Sequence, residues 1–483
     1  MKDFLLDKNS GEALYLQLYK EIKRQIEENE LKDSKLPSIR KLSKLLGVNN
    51  ITVINAYKML EQEGYVYSIE GSGTYINKIP NTDELAYLDD GDMDLMLSGI
   101  LPINKDSLNF ASVSPTQDLF PIEEFKNALI EVLDRDGGHA FLYPEVNGYE
   151  PLRESISKFL MDNYRIDVNM NQILITSGGQ QGLDIIAKSM VNPGDTIIME
   201  NPTYSAAFEA FKSRGAKIIG IPLLNNSIDI EFLRKTTINH KPKFFYMMTN
   251  FQCPTTYSYS MENKLEIIKL SKEYGFYIIE DDFLTDLYFD NDIKTPLKSL
   301  DDFDKVIFIK SFSKIFMPGV RIGFVTLPNR LGKEIIKAKH TTDISSSGYL
   351  QRAFDLYLRK GYWKAHIENI RKLYSEKYKI MIENLSILTK YGIEYTKPNG
   401  GLSIWLKLPK EIGASDLYYK CSENNLSLVP GKVFFINNNL DDNYIRISYG
   451  AVDNNEIIRG IKILDNILDK DLSEKSNRYM PFI

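Results

Sequence analysis

The stretch SFSKIFMPGVRIG, residues 311–323, decides the fold of most of this chain. It follows an apolar run that predicts a buried strand, so Lys314 comes just after the carboxyl end of that strand, where α/β folds place their binding sites. A lysine amine that is partly shielded from water there can form a Schiff base with an aldehyde. Arg321 offers a planar guanidinium suited to a phosphate. Ser311 and Ser313 add hydroxyl donors beside it.

On both sides of this stretch, from about residue 106 onward, strand-like and helical segments alternate, which predicts an α/β domain with a mostly parallel sheet. The strand-like runs are Gln172–Thr176, Thr196–Met199, Lys217–Ile221, Lys243–Met248, Phe276–Glu280, Lys305–Lys310 and Gly323–Leu327. The last part, roughly 330–483, is richer in helices and predicts a smaller C-terminal lobe, with strands at Leu402–Leu408 and Tyr444–Ser448.

The N-terminal part has a different pattern. Segment 13–30 has apolar residues at helical spacing, and a second helix is predicted between a cap at Ser38 and Gly47. Asn49 can cap a third helix, and two β-rich runs flank the glycine-containing turn 70–73. This order predicts an α+β winged helix-turn-helix.

We therefore divide the chain into residues 1–77, an acidic linker 78–105, and residues 106–483. The linker is either a plain connector or a contact for the basic face of the N-terminal domain.

Composition excludes several classes of protein. No run of apolar residues is long enough for a membrane span, and the N-terminus lacks the apolar stretch of a signal peptide. Two distant cysteines, Cys253 and Cys421, exclude a disulfide framework, and the four histidines lack metal-ligand spacing. The net charge of −6 does not indicate a nucleic-acid partner, so DNA binding has to be argued from pattern. These properties predict a cytoplasmic protein without a metal.

Residues 311–323 resemble the signature of fold-type I pyridoxal-phosphate (PLP) enzymes, the aminotransferase family. The resemblance implies that PLP is held as an aldimine on Lys314. It also implies further cofactor contacts from Ser311, Ser313, Arg321, Gly179, Gln180, Tyr204, Asp281 and Tyr143. Asp281 would pair with the pyridine nitrogen, Tyr204 would stack on the ring, and Tyr143 would reach the phosphate of a partner subunit. Arg446 would grip a substrate or effector carboxylate.

The match to this family has departures. Aminotransferases carry Asn-Pro-Thr-Gly where this chain has Cys253, Pro254, Thr255 and Thr256, so the asparagine that bonds the phenolic oxygen is missing. Phe283 stands where the family often has tyrosine. Weaker tuning of the ring follows, and we expect at most slow or half-reaction transamination.

Residues 13–76 resemble the GntR superfamily of DNA-binding modules. In such modules the third helix enters the major groove. The resemblance implies DNA contacts from Ser38, Arg40, Asn49, Asn50, Thr52 and Gly73. Asn50, Ile54 and Ile69 occupy positions that are often arginine, which predicts weak binding per half-site and dependence on dimerisation.

The fused arrangement resembles the MocR-type subfamily of GntR regulators. It implies a head-to-tail homodimer that binds operator DNA and senses PLP or an amino compound. Two alternatives remain: a working PLP-dependent aminotransferase with an accessory DNA-binding module, and a regulator that binds no PLP and keeps the fold as a dimerisation scaffold.

Overall fold

The computed structural model describes residues 13–27, 35–62, 65–69, 73–76, 107–224, 227–290, 294–436 and 443–478. The chain divides into two compact units, Met1–Met93 and Asp94–Ile483. The predicted linker 78–105 lies outside the described residues, as does the centre of the predicted hairpin turn. Within the described part of the chain, no helix is long and apolar enough to cross a membrane.

The N-terminal domain consists of three helices and a hairpin. Its elements are α1 (Leu14–Glu27), α2 (Ile39–Leu46), α3 (Asn50–Gln62), β1 (Val66–Ile69) and β2 (Gly73–Ile76). Ser38 caps α2 by accepting the N–H of Lys41, and Gly47 ends the helix with a left-handed φ of 62°. Leu18, Leu42 and Leu60 are buried between the three helices. The predicted order of helices and hairpin is confirmed.

The C-terminal domain is built on an eight-stranded sheet in the order β4-β11-β10-β9-β8-β5-β6-β7. The strands are β4 (Ile173–Thr176), β5 (Thr196–Asn201), β6 (Lys217–Leu224), β7 (Ser227–Ile228), β8 (Phe244–Met247), β9 (Tyr277–Asp282), β10 (Val306–Ser311) and β11 (Gly323–Thr326). Strand β11 runs antiparallel to both of its neighbours, and β7 is antiparallel to β6. The remaining pairs are parallel. The predicted mostly parallel sheet is therefore confirmed.

Helices cover this sheet and extend into the smaller lobe. They are α4 (Ile122–Asp136), α5 (Glu150–Tyr164), α6 (Gly179–Met190), α7 (Ser205–Lys212), α8 (Ile230–His240), α9 (Met261–Tyr274), α10 (Gly332–Asp343), α11 (Gly348–Arg359), α12 (Tyr362–Leu385), α13 (Ala414–Glu423) and α14 (Asn454–Arg478). Ile335 of α10 belongs to the same apolar core as Ile309 of the sheet, so this helix packs on the large sheet.

The smaller lobe contains a four-stranded sheet in the order β12-β13-β16-β15. Its strands are β12 (Glu394–Tyr395), β13 (Ser403–Lys407), β15 (Val429–Pro430) and β16 (Tyr444–Ser448). Beside them, β14 (Leu426–Ser427) pairs in parallel with β3 (Leu108–Asn109). The first described strand of the domain therefore joins the lobe formed by its last residues.

Candidate functional site: a cofactor cradle and a DNA-binding face

The residue expected to bind the cofactor aldehyde, Lys314, lies in the turn after β10, where its side chain is half-buried. Its amine donates a hydrogen bond to the Ser114 hydroxyl at 3.4 Å. Burial lowers the pKa of Lys314 to about 8, and the positive charges of Arg446 and Arg321 act in the same direction. An amine with that pKa is partly uncharged near neutral pH, which a nucleophile requires.

The end of β9 carries two neighbouring carboxylates with different surroundings. Asp281 accepts a hydrogen bond from the Tyr246 hydroxyl at 2.8 Å, and burial raises the pKa of Asp281 to about 7. Asp282 instead pairs with the fully buried amine of Lys310 at 2.8 Å. Successive side chains of a strand point to opposite faces, which separates these two roles. Asp281 is the one that faces the glycine turn at Gly179.

A glycine turn beside Arg321 connects β4 to α6. Gly178 has a φ of 90° and directly precedes the first helical residue, Gly179, so N–H groups of the first turn face outward. Arg321 donates from Nη1 to the Ser313 hydroxyl at 3.2 Å and from Nη2 to the Ser177 carbonyl at 2.5 Å. A Cβ on Gly178 would lie 2.6 Å from Arg321 Nη2, so only glycine leaves this space open. A guanidinium, hydroxyls and a helix N-terminus together suit a phosphate.

Tyr204 lies between these groups at the start of α7. Its hydroxyl donates to Gln180 Oε1 at 3.3 Å. Burial raises the pKa of Tyr204, and the charges of Asp281 and Arg321 both act on it. The aromatic ring of Tyr204 is therefore close to the carboxylate of Asp281 and to Arg321, the arginine that suits a phosphate.

Arg446 approaches from β16 of the smaller lobe. Its Nη2 donates to the Ala111 carbonyl, and its Nη1 lies 4.0 Å from Cys253 Sγ. Among the described residues nothing accepts a hydrogen bond from its buried Nε. Burial raises the pKa of the Cys253 thiol, while Arg446 and Lys314 act in the opposite direction. Cys253 thus faces the lysine and the arginine at the position where the family pattern has asparagine.

These groups fit PLP. The turn at Gly178 and the side chain of Arg321 suit the phosphate, the buried acid Asp281 suits a cationic ring nitrogen, and the amine of Lys314 suits the aldehyde. We call these residues together the cofactor cradle. The structure brings together nine of the predicted residues: Gly179, Gln180, Tyr204, Asp281, Ser311, Ser313, Lys314, Arg321 and Arg446. Tyr143 is 80% exposed, so within one chain it stays apart from this group.

Sequence reasoning missed several residues that support the site. Ser114 and Tyr246 come from distant segments, and neither belongs to a motif that marks a contact to Lys314 or Asp281. Gln252 is fully buried; its Oε1 accepts the N–H of Thr255 at 3.0 Å, and its Nε2 donates to the Pro202 carbonyl at 2.8 Å. It shapes the turn that presents Cys253. Gln252 directly precedes Cys253 in the segment that departs from the family pattern. That departure was the signal by which the residue could have been found.

The predicted DNA contacts lie on one part of the N-terminal domain. Ser38, Arg40, Asn49, Asn50 and Gly73 are exposed, and Thr52 is half-buried. Asn49 Oδ1 accepts the N–H of Ile51 at 3.2 Å, and Asn50 Oδ1 accepts the Ser43 hydroxyl at 2.6 Å. Ile54 is half-buried in α3, whereas the side chain of Ile69 lies outside the described residues.

Comparison with known proteins assigns each of the two domains. Residues 105–464 match the family "Aminotransferase class I and II", and residues 14–76 match "Bacterial regulatory proteins, gntR family". The crystal structure of alpha-aminoadipate aminotransferase from Thermus thermophilus, complexed with N-(5'-phosphopyridoxyl)-L-leucine, superposes with a TM-score of 0.72 at 30% identity. That similarity covers 76% of this chain and 94% of the aminotransferase. Homologues with this fold are PLP-dependent, which confirms the predicted cofactor.

Other relatives match both domains. The uncharacterized HTH-type transcriptional regulator YdfD of Bacillus subtilis is 28% identical over 92% of this chain and 93% of its own length. The probable rhizopine catabolism regulatory protein MocR of Rhizobium meliloti is 26% identical over 78% of both chains. The chain therefore belongs to the class I and II aminotransferase family and joins that domain to a GntR-type helix-turn-helix domain, the fused architecture of the MocR-type regulators.

Proposed function

We propose that this protein is a transcriptional regulator that binds operator DNA through α2 and α3 and changes its DNA affinity when PLP or an amino compound occupies the site at Lys314. One observation carries the proposal: a single chain combines an exposed helix-turn-helix face with an assembled cofactor cradle. The relative YdfD, named as a regulator, matches 92% of the chain, whereas the solved aminotransferase matches 76% of it.

PLP, when bound, supplies an aldehyde that condenses with primary amines and a ring that withdraws electrons. Lys314 is suited to attach it, because a pKa of about 8 leaves part of its amine uncharged near neutral pH. Asp281 is suited to hold a proton on the ring nitrogen. Its own pKa is raised to about 7 by burial, and the charge of Asp282 acts in the same direction. A cationic partner would lower that pKa and keep the carboxylate ionised.

An amino compound with a carboxylate is the effector class that this site favours. Arg446 is buried beside Lys314, and its Nε has no acceptor among the described residues. A carboxylate that displaced the Ala111 carbonyl could bond the guanidinium at two positions. The amine of the same molecule would then lie near Lys314. PLP alone is the second candidate signal. In that case Arg446 would donate only to the backbone carbonyl of Ala111.

The active unit that we propose is a head-to-tail homodimer in the cytoplasm. Phe141, Leu142 and Tyr143 form a continuous apolar run, and they are 68%, 62% and 80% exposed. Three large neighbouring apolar side chains in water favour a contact with a second copy. In that arrangement Tyr143 would reach the partner's phosphate site. Occupancy of the site then alters DNA affinity only if the two dimer states bind the ligand differently.

A mobility-shift assay on the DNA upstream of its own gene tests the proposal. The full chain is titrated with and without PLP, against an unrelated competitor duplex, and then with a panel of amino acids. We expect a specific shift whose midpoint moves when PLP or one amino compound is present. The titration is repeated with Lys314→Ala, which lacks the amine assigned to the cofactor. Lys212→Ala, at an exposed lysine, is the control variant. A specific shift that ignores both kinds of ligand would contradict the sensing step.

The alternative, an aminotransferase with an accessory DNA-binding module, has its own support. The pKa of Lys314 is lowered to about 8, and Asp281 and Arg446 lie in the same site. Against it stands Cys253 where the family has an asparagine. Keto-acid release from an amino donor separates the two functions. Steady turnover at enzyme-like rates would favour the aminotransferase, and a single slow half-reaction would favour the regulator.

A further inference from the structure

The exposed face of α3 begins with an apolar side chain. Ile51, the second residue of the helix, is 61% exposed and shares one face with the exposed residues Asn55 and Lys58. One exposed isoleucine is ordinary on a protein surface. Its position is what matters, because the first residues of this helix are those that meet base edges in helix-turn-helix modules.

The two asparagines beside Ile51 present donors. Asn49 Oδ1 accepts the Ile51 N–H at 3.2 Å, and Asn50 Oδ1 accepts the Ser43 hydroxyl at 2.6 Å. Within the described part of the chain, neither amide NH₂ group has an acceptor. Adenine is read by an amide that both donates and accepts, whereas thymine offers an acceptor, O4, beside its C5-methyl group. An amide whose oxygen is already bound, next to an apolar side chain, matches thymine better.

The flanking charge favours a DNA duplex as the occupant of this face. Between residues 35 and 60, all of which the structure describes, every charged side chain is basic. Arg40, Lys41 and Lys44 are exposed on α2, next to the start of α3. Cations of this kind bind phosphates and position a module without specifying bases. Specificity is then left to the uncharged residues at the start of α3.

We infer that Ile51 selects thymine: its side chain contacts the C5-methyl group of a thymine in the major groove, and the amide of Asn49 or Asn50 donates to O4 of the same base. This inference rests on the proposed DNA-binding function and names the base that the function selects. Each half-site then contains an A·T pair whose methyl group faces α3. Replacing that thymine by uracil removes the methyl and leaves the base pairing unchanged.

The test uses the full chain with PLP and a pool of duplexes with a randomised core. Duplexes that the protein retains are sequenced, and the enriched sequence is synthesised with thymine or with uracil at each A·T position. We expect uracil at one position of each half-site to weaken binding about fourfold, the value of one buried methyl group. Uracil at the remaining positions should leave the Kd unchanged.

Two variants locate the effect. Ile51→Ala should bind the thymine and uracil duplexes with equal affinity, and its side chain is exposed enough that folding is preserved. Leu45→Ala is the matched control, since Leu45 is 66% exposed at the end of α2, and it should keep the fourfold preference. If no sequence is enriched, the proposed DNA-binding function fails. If a sequence is enriched but wild type ignores the methyl, or Leu45→Ala also loses the preference, DNA binding stands and the inference about Ile51 is overturned.

Discussion

The cofactor cradle and the DNA-binding face use polar residues in opposite ways. In the cradle, Asp281 is buried and Lys314 is half-buried, each with a partner from a distant segment, and burial moves both pKa values towards neutrality. On the DNA-binding face, Arg40 and Asn49 are exposed and are held by short-range helix geometry. The cradle should therefore respond to pH and to single substitutions, and the face should respond to salt.

The largest effect is expected from Lys314→Ala, which removes the amine that we assign to cofactor attachment. Wild type incubated with PLP and then reduced with borohydride should keep the cofactor through denaturation, as measured by mass spectrometry. The variant should keep none. DNA binding by the cofactor-free variant should stay within about twofold of cofactor-free wild type, because the DNA-binding face belongs to a separate compact unit.

Lys305→Ala is the control for this experiment, since Lys305 lies at the other end of the same strand and outside the cradle. It should retain the fixed cofactor. A cofactor that stays fixed in Lys314→Ala would show that another amine attaches it. A large loss of DNA binding in the cofactor-free variant would show that the two regions are not independent.

The second largest effect is expected at the buried cation Lys310, whose partner Asp282 directly follows Asp281 of the cradle. Lys310 is fully buried between Asp282 and Asp286, at 2.8 Å and 2.7 Å, and the Tyr164 hydroxyl also donates to Asp286. Lys310→Met would leave two buried carboxylates without their cation. Breaking a buried pair in this way costs about 3–5 kcal/mol. We expect the free energy of unfolding of the C-terminal domain, measured in urea, to fall by that amount. The free energy of unfolding of the N-terminal domain should stay unchanged.

Lys333→Met provides the matched comparison, because Lys333 is exposed at the start of α10. Its effect should stay within about 0.5 kcal/mol, as for most surface substitutions. Equal losses for the two methionine variants would mean that the buried pair contributes little net stability.

Sequence patterns predicted the two regions to different depths. Motifs located Lys314, Asp281 and Arg321 because each one follows a strand or turn whose local pattern is strong. Alternation along β9 also explains why Asp281, and not Asp282, faces the cradle. Lys310 was not recognised as a buried cation, since its partners lie on a different strand and in the loop that follows it. Sequence patterns did not predict the partners Ser114 and Tyr246 for the same reason, because their contacts join distant segments.

On the DNA-binding face the local pattern was sufficient to predict three helices, the caps at Ser38, Gly47 and Asn49, and the hairpin. It did not predict the orientation of the amides. From the sequence, Asn50 was expected only to be a DNA contact, and an asparagine can read adenine with both its donor and its acceptor. The structure shows its acceptor bound to the Ser43 hydroxyl. Such a contact links two neighbouring helices, so it depends on their packing and has no signature in the spacing of residues.

The third effect concerns pH. Only the uncharged amine of Lys314 could attach the aldehyde of PLP, so PLP uptake by cofactor-free protein should rise about tenfold per pH unit and level off above about pH 8. Arg446→Met removes a positive charge that lowers this pKa, so the levelling-off point should move to higher pH. Stopped-flow absorbance of PLP measures both profiles. An unmoved profile in Arg446→Met would mean that Arg446 does not contribute to the lowered pKa of Lys314.

The smallest effect tests the DNA-binding face through its charge. Arg40 is exposed at the start of α2, and its role as a phosphate contact predicts that Arg40→Ala weakens binding to every duplex by a similar factor. The slope of log K against log salt should fall by about 0.9 for each phosphate contact removed. Lys58→Ala, on the exposed face of α3, gives the comparison with a second cation. The preference for thymine over uracil should survive in Arg40→Ala, because a phosphate contact carries no base information. If Arg40→Ala changed that preference while the salt slope stayed the same, Arg40 would be a base contact, and the division between the basic residues of α2 and the uncharged residues at the start of α3 would be wrong.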